Sequence, residues 1–563
     1  MIQLGNSRTQ RRLILFAIAV VGTALVAAGP SPEGLSVRGQ YAMATMFFAG
    51  FLWVTGALPL AVTALAIPFV LTAFGVYASL DEALVGFADH LIFLFIAGFM
   101  LANALQKYDI DRRIALWIMS KMGSSPRRLV AAVMLATAFL SMWVSNTATT
   151  AMMTPIALGV LTQVLGRDEV AAAEADPDAD FDADVAGDET RGESGTSSDT
   201  MSDGGAGVGS ADLGDGAGED SFTNIQISML LGTAYAASVG GVGTLIGTPP
   251  NAILAAQLNE ILGYEIGFAQ WLLIGIPIVV VTLPLVWYLL TYHIYPPEIG
   301  NVESAREEAA RYLEEEGELS TRGKRVAYIF AATAGLWVLG GLGDFVGPYL
   351  PAAWATTVFG GDGATVLGVE GHQGLLYYVM VGLAAIPVLV LADTMEWDEL
   401  VDIDWGTILL FGGGIALADA LAATGATDWI ANSVFGSLTG APIVLVVAAV
   451  VLLVIFLTEM TSNTATATII VPILIGIGGV FASTLGLAEV SAAVFLSVSG
   501  AVAASFAFAL PVATPPNAIV FGSGYIEQKH MMRAGVILNL VMTVVLTGLI
   551  WFMFQFVWPI VLW

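Results

Sequence analysis

Ser145-Asn146-Thr147-Ala148-Thr149-Thr150 sits in the middle of one apolar stretch, residues 129–163, and Ser462-Asn463-Thr464-Ala465-Thr466-Ala467 sits in the middle of another, residues 441–479. The copies are 317 residues apart, and a proline follows each at the same distance, Pro155 and Pro472. A second pair lies downstream: Thr248-Pro249-Pro250-Asn251-Ala252-Ile253 matches Thr514-Pro515-Pro516-Asn517-Ala518-Ile519, at an offset of 266. The shortfall of 51 is about the length of an acidic insert within residues 166–222, and without it both pairs share one spacing. The preceding segments align as well: Leu94-Phe95, Gly98, Leu101-Ala102, Ala104-Leu105 and Ile114-Ala115 recur 316 residues later. Two related halves are therefore written into one chain.

Composition says where such a chain lives. Its 563 residues are 57% hydrophobic and only 12% charged, with a mean hydropathy of +0.81. A soluble domain is nearer a quarter charged. A water-soluble enzyme, a disordered protein and a disulfide scaffold are excluded. The absence of cysteine removes thiolate metal sites and cysteine nucleophiles. The net charge of −28 argues against nucleic acid or an anionic lipid surface as the main partner. A membrane-embedded enzyme would need a nucleophile–base pair or a metal cluster. The four histidines, His90, His293, His372 and His530, are scattered near span ends or loops, so no such cluster is visible.

The apolar runs predict an all-α polytopic membrane protein with eleven transmembrane helices. The expected spans are 13–29, 41–57, 59–78, 91–106, 223–260, 268–294, 326–342, 374–391, 405–422, 490–522 and 534–560. Residues 129–163 and 441–479 carry polar midpoints and read as two re-entrant hairpins. The first span is read as retained, although its basic start and Ala27-Ala28-Gly29-Pro30 ending also fit a cleaved leader. A cytoplasmic N-terminus puts 18 of the 19 basic residues inside, with only Arg38 outside, and leaves the C-terminus extracellular. Span 91–106 then runs inward and its relative 405–422 runs outward, so the repeats are inverted in topology. The divisions are residues 1–40 for the tail and first span, 41–295 for the first repeat, 296–325 for a cytoplasmic linker and 326–563 for the second repeat.

Residues 168–220 hold 17 acids and one base among Gly, Ser and Ala, a composition that cannot bury a core and reads as a disordered cytoplasmic loop. Asp393, Glu396, Asp398, Glu399, Asp402 and Asp404 follow one another elsewhere without a base. Molar salt, with a Debye length of about 3 Å, screens such repulsion. A halophilic source is the expectation, and full stability in dilute buffer would count against it.

Sixteen residues separate Arg128 from Ser145, a helical rise of roughly 24 Å that carries the tip to or past the middle of a core about 30 Å thick. Irregular backbone at that depth survives only where protein or a wet cavity surrounds it. Ser, Asn and Thr satisfy freed backbone groups and also bind ligands. Helix C-terminal carbonyls suit a cation such as Na⁺, and helix N-terminal amides suit a carboxylate. Paired prolines at 249–250 and 515–516 break their helices and free further carbonyls, with Gly240 to Gly243 adding freedom before the first. A lone Ser-Asn-Thr is more often helix packing; duplication at matched spacing favours binding. Glu459 lies beside the second tip where the first has Met142. An acid at that depth is a functional suspect, and bracing the hairpin by hydrogen bonds is the alternative favoured here. Asp419 and Asp344 fall near span ends.

These motifs carry a resemblance. Thr137-Ala138-Phe139-Leu140-Ser141-Met142-Trp143-Val144-Ser145-Asn146-Thr147 resembles the first signature of the divalent anion/Na⁺ symporter family, the dicarboxylate, citrate and sulfate carriers. Thr458-Glu459-Met460-Thr461-Ser462-Asn463-Thr464 and Leu510-Pro511-Val512-Ala513-Thr514-Pro515-Pro516-Asn517 resemble the second, and the likeness covers nearly all of the chain outside the insert. The resemblance implies a homodimer in the cell membrane, with a scaffold part and a moving part, that carries a small dianion with at least two Na⁺ ions by elevator-type alternating access, and no organic cofactor. It implies a first Na⁺ site at Ser141, Ser145, Asn146 and Gly241, and a second at Thr458, Thr461, Asn463, Ala513 and Pro515. It implies substrate contacts at Asn146, Thr147, Asn463, Thr464 and Thr514, beside Gly241 and Val242. Val242 stands where some dicarboxylate carriers have a small polar residue, which keeps sulfate and citrate open beside succinate-like dicarboxylates.

Overall fold

The computed structural model describes residues 7–121, 125–165, 223–298, 303–360, 365–366, 369–370, 373–430, 432–433, 441–485 and 487–561. The acidic insert and His372 lie outside these described residues. The first half begins with α1 (Ser7–Ala28), α2 (Val37–Thr55), α3 (Leu60–Ala73), α4 (His90–Lys107) and α5 (Ile110–Lys121). It continues with α6 (Pro126–Ser141), α7 (Asn146–Leu165), α8 (Asn224–Gly241), α9 (Pro249–Leu262) and α10 (Phe268–Tyr288). Then follow α11 (Glu303–Glu315), α12 (Thr321–Gly340), α13 (Tyr378–Leu391) and α14 (Trp405–Ala423). The second half closes with α15 (Ile443–Met460), α16 (Asn463–Leu485), α17 (Glu489–Ala503), α18 (Pro515–Gly522) and α19 (Gln528–Phe556). Among the described residues the only strand pairing is a two-residue ladder, Thr365–Val366 with Val369–Glu370.

Six described helices are long and apolar enough to cross a membrane: Thr9–Ala28, His90–Lys107, Phe268–Ile294, Trp405–Ala423, Ile443–Met460 and Gln528–Phe556. Others are shorter apolar helices, such as Leu60–Ala73 and Tyr378–Leu391. The stretches 223–260 and 490–522, read as spans broken at their proline pairs, are each two helices separated by irregular backbone, α8/α9 and α17/α18. The reason is the proline pair, which occupies the first two positions of α9 and of α18. Proline there loses no helical hydrogen bond and starts a new helix. The segment read as a linker contains a helix. Its Glu/Ala-rich sequence forms α11, and Arg113 donates to the carbonyls of Glu316 and Gly317 just past that helix's end, at 2.7 and 2.6 Å.

α8 is central: every residue from Ile225 to Gly241 is buried. Its small residues allow this. A Cβ on Gly240 would lie 2.3 Å from the Ala138 carbonyl oxygen, so α6 and α8 touch backbone to backbone. Packing between the halves is crossed. α7, the return arm of the first hairpin, packs on α18 of the second half, and α16, the return arm of the second, packs on α9 of the first. Gln257 on α9 donates to the Thr468 carbonyl on α16 at 3.4 Å. Each return helix therefore leans on the proline-started helix of the other half.

Candidate functional site

α6 stops at Ser141 and α7 starts at Asn146, leaving the tip 142–145 between them. Ser145 accepts from the Ala148 amide at 3.2 Å and so caps α7. The side chains on either side of the tip face α8. Ser141 Oγ lies 2.8 Å from the Ala237 carbonyl oxygen and 2.6 Å from the terminal amide of Asn146. One end of that amide also reaches the Ala237 carbonyl at 3.0 Å and the Gly247 carbonyl at 3.3 Å. With nitrogen turned inward, its two N–H groups face these three oxygens. With oxygen turned inward it accepts from Ser141 but faces the Ala237 and Gly247 carbonyls, an approach of oxygens that a cation among them would relieve. Hard neutral oxygens of this kind fit Na⁺. Gly241 completes the cradle: a Cβ there would stand 2.4 Å from Asn146 Oδ1 and 3.0 Å from the Gly247 carbonyl oxygen.

The second tip repeats the pattern. Thr458, the counterpart of Ser141, has its Oγ1 2.7 Å from Asn463 Oδ1 and 3.0 Å from the Ala504 carbonyl oxygen. Ser462 caps α16 through the Ala465 amide at 3.1 Å, as Ser145 caps α7. The asparagine of each Thr-Pro-Pro-Asn motif ties its own break together. Asn251 donates to the Gly241 and Thr244 carbonyls at 3.0 and 2.7 Å, and Asn517 donates to Ala507 and Leu510 at 3.1 and 3.0 Å.

Of the residues implied by the resemblance, the structure brings Ser141, Asn146 and Gly241 together, and separately Thr458 and Asn463. Thr461 instead turns toward Leu457 and Thr466. Ala513 is buried, with its amide on the Leu510 carbonyl at 3.2 Å, and Pro515 is exposed. Thr514 is buried and caps α18 through the Asn517 amide at 3.2 Å. Thr147 is exposed and Thr464 half-buried. The Val242 side chain is fully buried, and its carbonyl accepts from Trp271 Nε1 at 2.9 Å. Sequence reasoning missed the Ala237 and Ala504 carbonyls, because a backbone oxygen leaves no mark on residue type. It also missed Asn539.

Glu459 is the one acid at these tips, and it braces. Its carboxyl group accepts from the amides of Phe508, Ala509 and Leu510 at 2.6, 2.7 and 2.9 Å, and from Asn539 Nδ2 at 2.6 Å. An acceptor-only group thus satisfies three amides left over where the helix is interrupted.

The sodium:sulfate symporter transmembrane region matches residues 8–560. The chain belongs to the sodium:sulfate symporter family. A sodium-dependent dicarboxylate transporter of Staphylococcus saprophyticus, SdcS, is 31% identical over 525 residues, which is 93% of this chain and 87% of that protein. The SdcS of a Staphylococcus aureus strain is also 31% identical, over 94% of this chain and 88% of its own length. An uncharacterised transporter of Haemophilus influenzae is 35% identical over 90% of this chain and 89% of that one. The crystal structure of the YdaH transporter from Alcanivorax borkumensis shares the fold, with a TM-score of 0.51 over 98% of this chain and 99% of that one at 14% identity. The family and these relatives are transporters, not enzymes, and this symporter-family chain is a multi-pass membrane transporter.

Proposed function

We propose that this protein is a secondary carrier that moves a dicarboxylate of the succinate, malate or fumarate kind together with at least two Na⁺ ions. The observation that supports it is the duplicate oxygen set, Ser141, Asn146 and the Ala237 carbonyl in one half, Thr458, Asn463 and the Ala504 carbonyl in the other. The stretches 129–163, 223–260, 441–479 and 490–522 contain no lysine or arginine. A dianion there meets only hydroxyls, amides and the starts of four helices, at Asn146, Pro249, Asn463 and Pro515. Bound Na⁺ supplies the missing positive charge, so anion affinity rises with sodium. The dicarboxylate reading rests on the named activity of the staphylococcal relatives.

The crossed packing of α7 on α18 and α16 on α9 fits inverted repeats meeting about a pseudo-two-fold axis. Elevator movement, a homodimer, a cytoplasmic N-terminus, an extracellular C-terminus and a lipid-embedded perimeter complete the proposal. Sulfate is the second reading, favoured by the family description itself. Uptake into proteoliposomes, with a thermal-shift screen of succinate, malate, citrate and sulfate in sodium and in potassium, tests both. Succinate stabilisation and uptake that require sodium are the expected results. Equal uptake in potassium would remove the coupling, and sodium-dependent sulfate uptake without succinate uptake would replace the substrate.

A further inference from the structure

Phe508 is held from both sides. Its amide donates to Glu459 at 2.6 Å, and its carbonyl accepts from the hydroxyl of Tyr235 at 2.8 Å. Tyr235 belongs to the other half. It is fully buried on α8, two residues before Ala237, whose carbonyl meets Ser141 and Asn146. Its ring packs on Phe508 at 4.8 Å between centroids. The same stretch is pressed by α19, where a Cβ on Gly535 would stand 2.2 Å from the Phe508 carbonyl oxygen. The second break therefore has little room to shift on its own.

The equivalent carbonyl in the first half is Val242, 266 residues earlier, and it is held by Trp271 of its own half at 2.9 Å. At the matching offsets, the second half has Ala501 or Val502 where the first has Tyr235. The tie between the halves at this level runs one way, from the helix that carries the first oxygen set to the loop that follows the second.

We propose that Tyr235 is a positioning residue that makes the two sodium sites cooperative. This rests on the reading that both oxygen sets bind Na⁺. A cation drawn in by Ser141, Asn146 and the Ala237 carbonyl fixes α8. α8, through the Tyr235 hydroxyl, fixes Phe508, and the Glu459 brace carries that order to the segment joining Ala504 to Thr514. Binding at the first set is then repaid as tighter binding at the second, a coupling typically of about 5-fold or more.

Tyr235→Phe keeps the ring and removes only the hydroxyl. In sodium titrations of dicarboxylate uptake the expected change is a lower Hill coefficient and roughly a 5-fold higher half-saturating sodium. Trp271→Phe, which loosens Val242 within one half, is expected to shift the half-saturating value while keeping the steepness. Unchanged steepness in Tyr235→Phe beside a sodium-dependent parent overturns the proposal; a parent with no sodium dependence overturns the underlying reading instead. A second measurement does not need the Phe variant to fold. The chain has no cysteine, and Val512, 62% exposed near the second break, accepts a single reporter by Val512→Cys. Adding Ser141→Ala is expected to weaken sodium protection of that thiol from alkylation, and protection identical with and without Ser141 overturns the proposal.

Discussion

At the first tip Met142 stands where the second has Glu459, and the two breaks are stabilised by different means. The first break is short, residues 242–248, and largely satisfies itself: Val242 and Gly243 donate back to Val239 and Gly240 at 3.2 and 2.8 Å, and Trp271 takes the Val242 carbonyl. The second is longer, residues 504–514, and leaves three successive amides facing inward, which Glu459 collects. The hydroxyl, asparagine and carbonyl sets at the two tips are alike while the groups that support them are not. A longer irregular segment has more freed donors and needs an acceptor with two oxygens.

The largest effect should come from abolishing that difference. Glu459→Met makes the second tip resemble the first but leaves the amides of 508–510 and Asn539 without their acceptor. Since each buried unsatisfied group costs about 1–3 kcal/mol, loss of folded protein or a collapse in melting temperature is expected, read by thermal shift in detergent. Met142→Glu, by contrast, places an acid beside a break whose Val242 and Gly243 amides are already paired, and should also destabilise.

Next come the oxygen sets. Asn146→Ala and Asn463→Ala should each cut sodium-dependent uptake by roughly 10–100-fold, because a bond to a charged group is worth about 1.5–3 kcal/mol. If one asparagine were dispensable, the symmetry of function would be broken even though the geometry is alike. The glycines that let neighbouring helices touch the breaks form a closer match. A Cβ on Gly275 would lie 2.3 Å from the Val242 carbonyl oxygen, and one on Gly535 2.2 Å from that of Phe508. Gly275→Ala and Gly535→Ala should cost a similar amount, about 1–3 kcal/mol, measured as paired thermal shifts. The smallest effects are expected at Thr147→Ala and Thr464→Ala. Exposed Thr147 and half-buried Thr464 should each change half-saturating dicarboxylate by roughly tenfold or less, with little change in sodium affinity, since neither is within the two oxygen sets.

The duplication, the apolar runs, the proline-marked breaks and the two asparagines at the tips could be read from residue order alone. Period, hydropathy and proline chemistry are local properties, and a copied motif announces itself at a fixed offset. The brace by Glu459 was readable as a choice between two roles, because an acid amid apolar sequence must be accounted for, but its partners at 508–510 and Asn539 lie far along the chain. What only the folded chain decided was which oxygens meet. Ala237, Ala504 and Gly247 contribute carbonyls that every residue possesses, and Thr461, Thr514 and Ser145, which share their residue types with Ser141 and Thr458, make other hydrogen bonds. Convergence of backbone groups depends on where two helices stop and which helix lies across the gap, about 100 residues on at the first tip and about 45 at the second, and only tertiary packing fixes that.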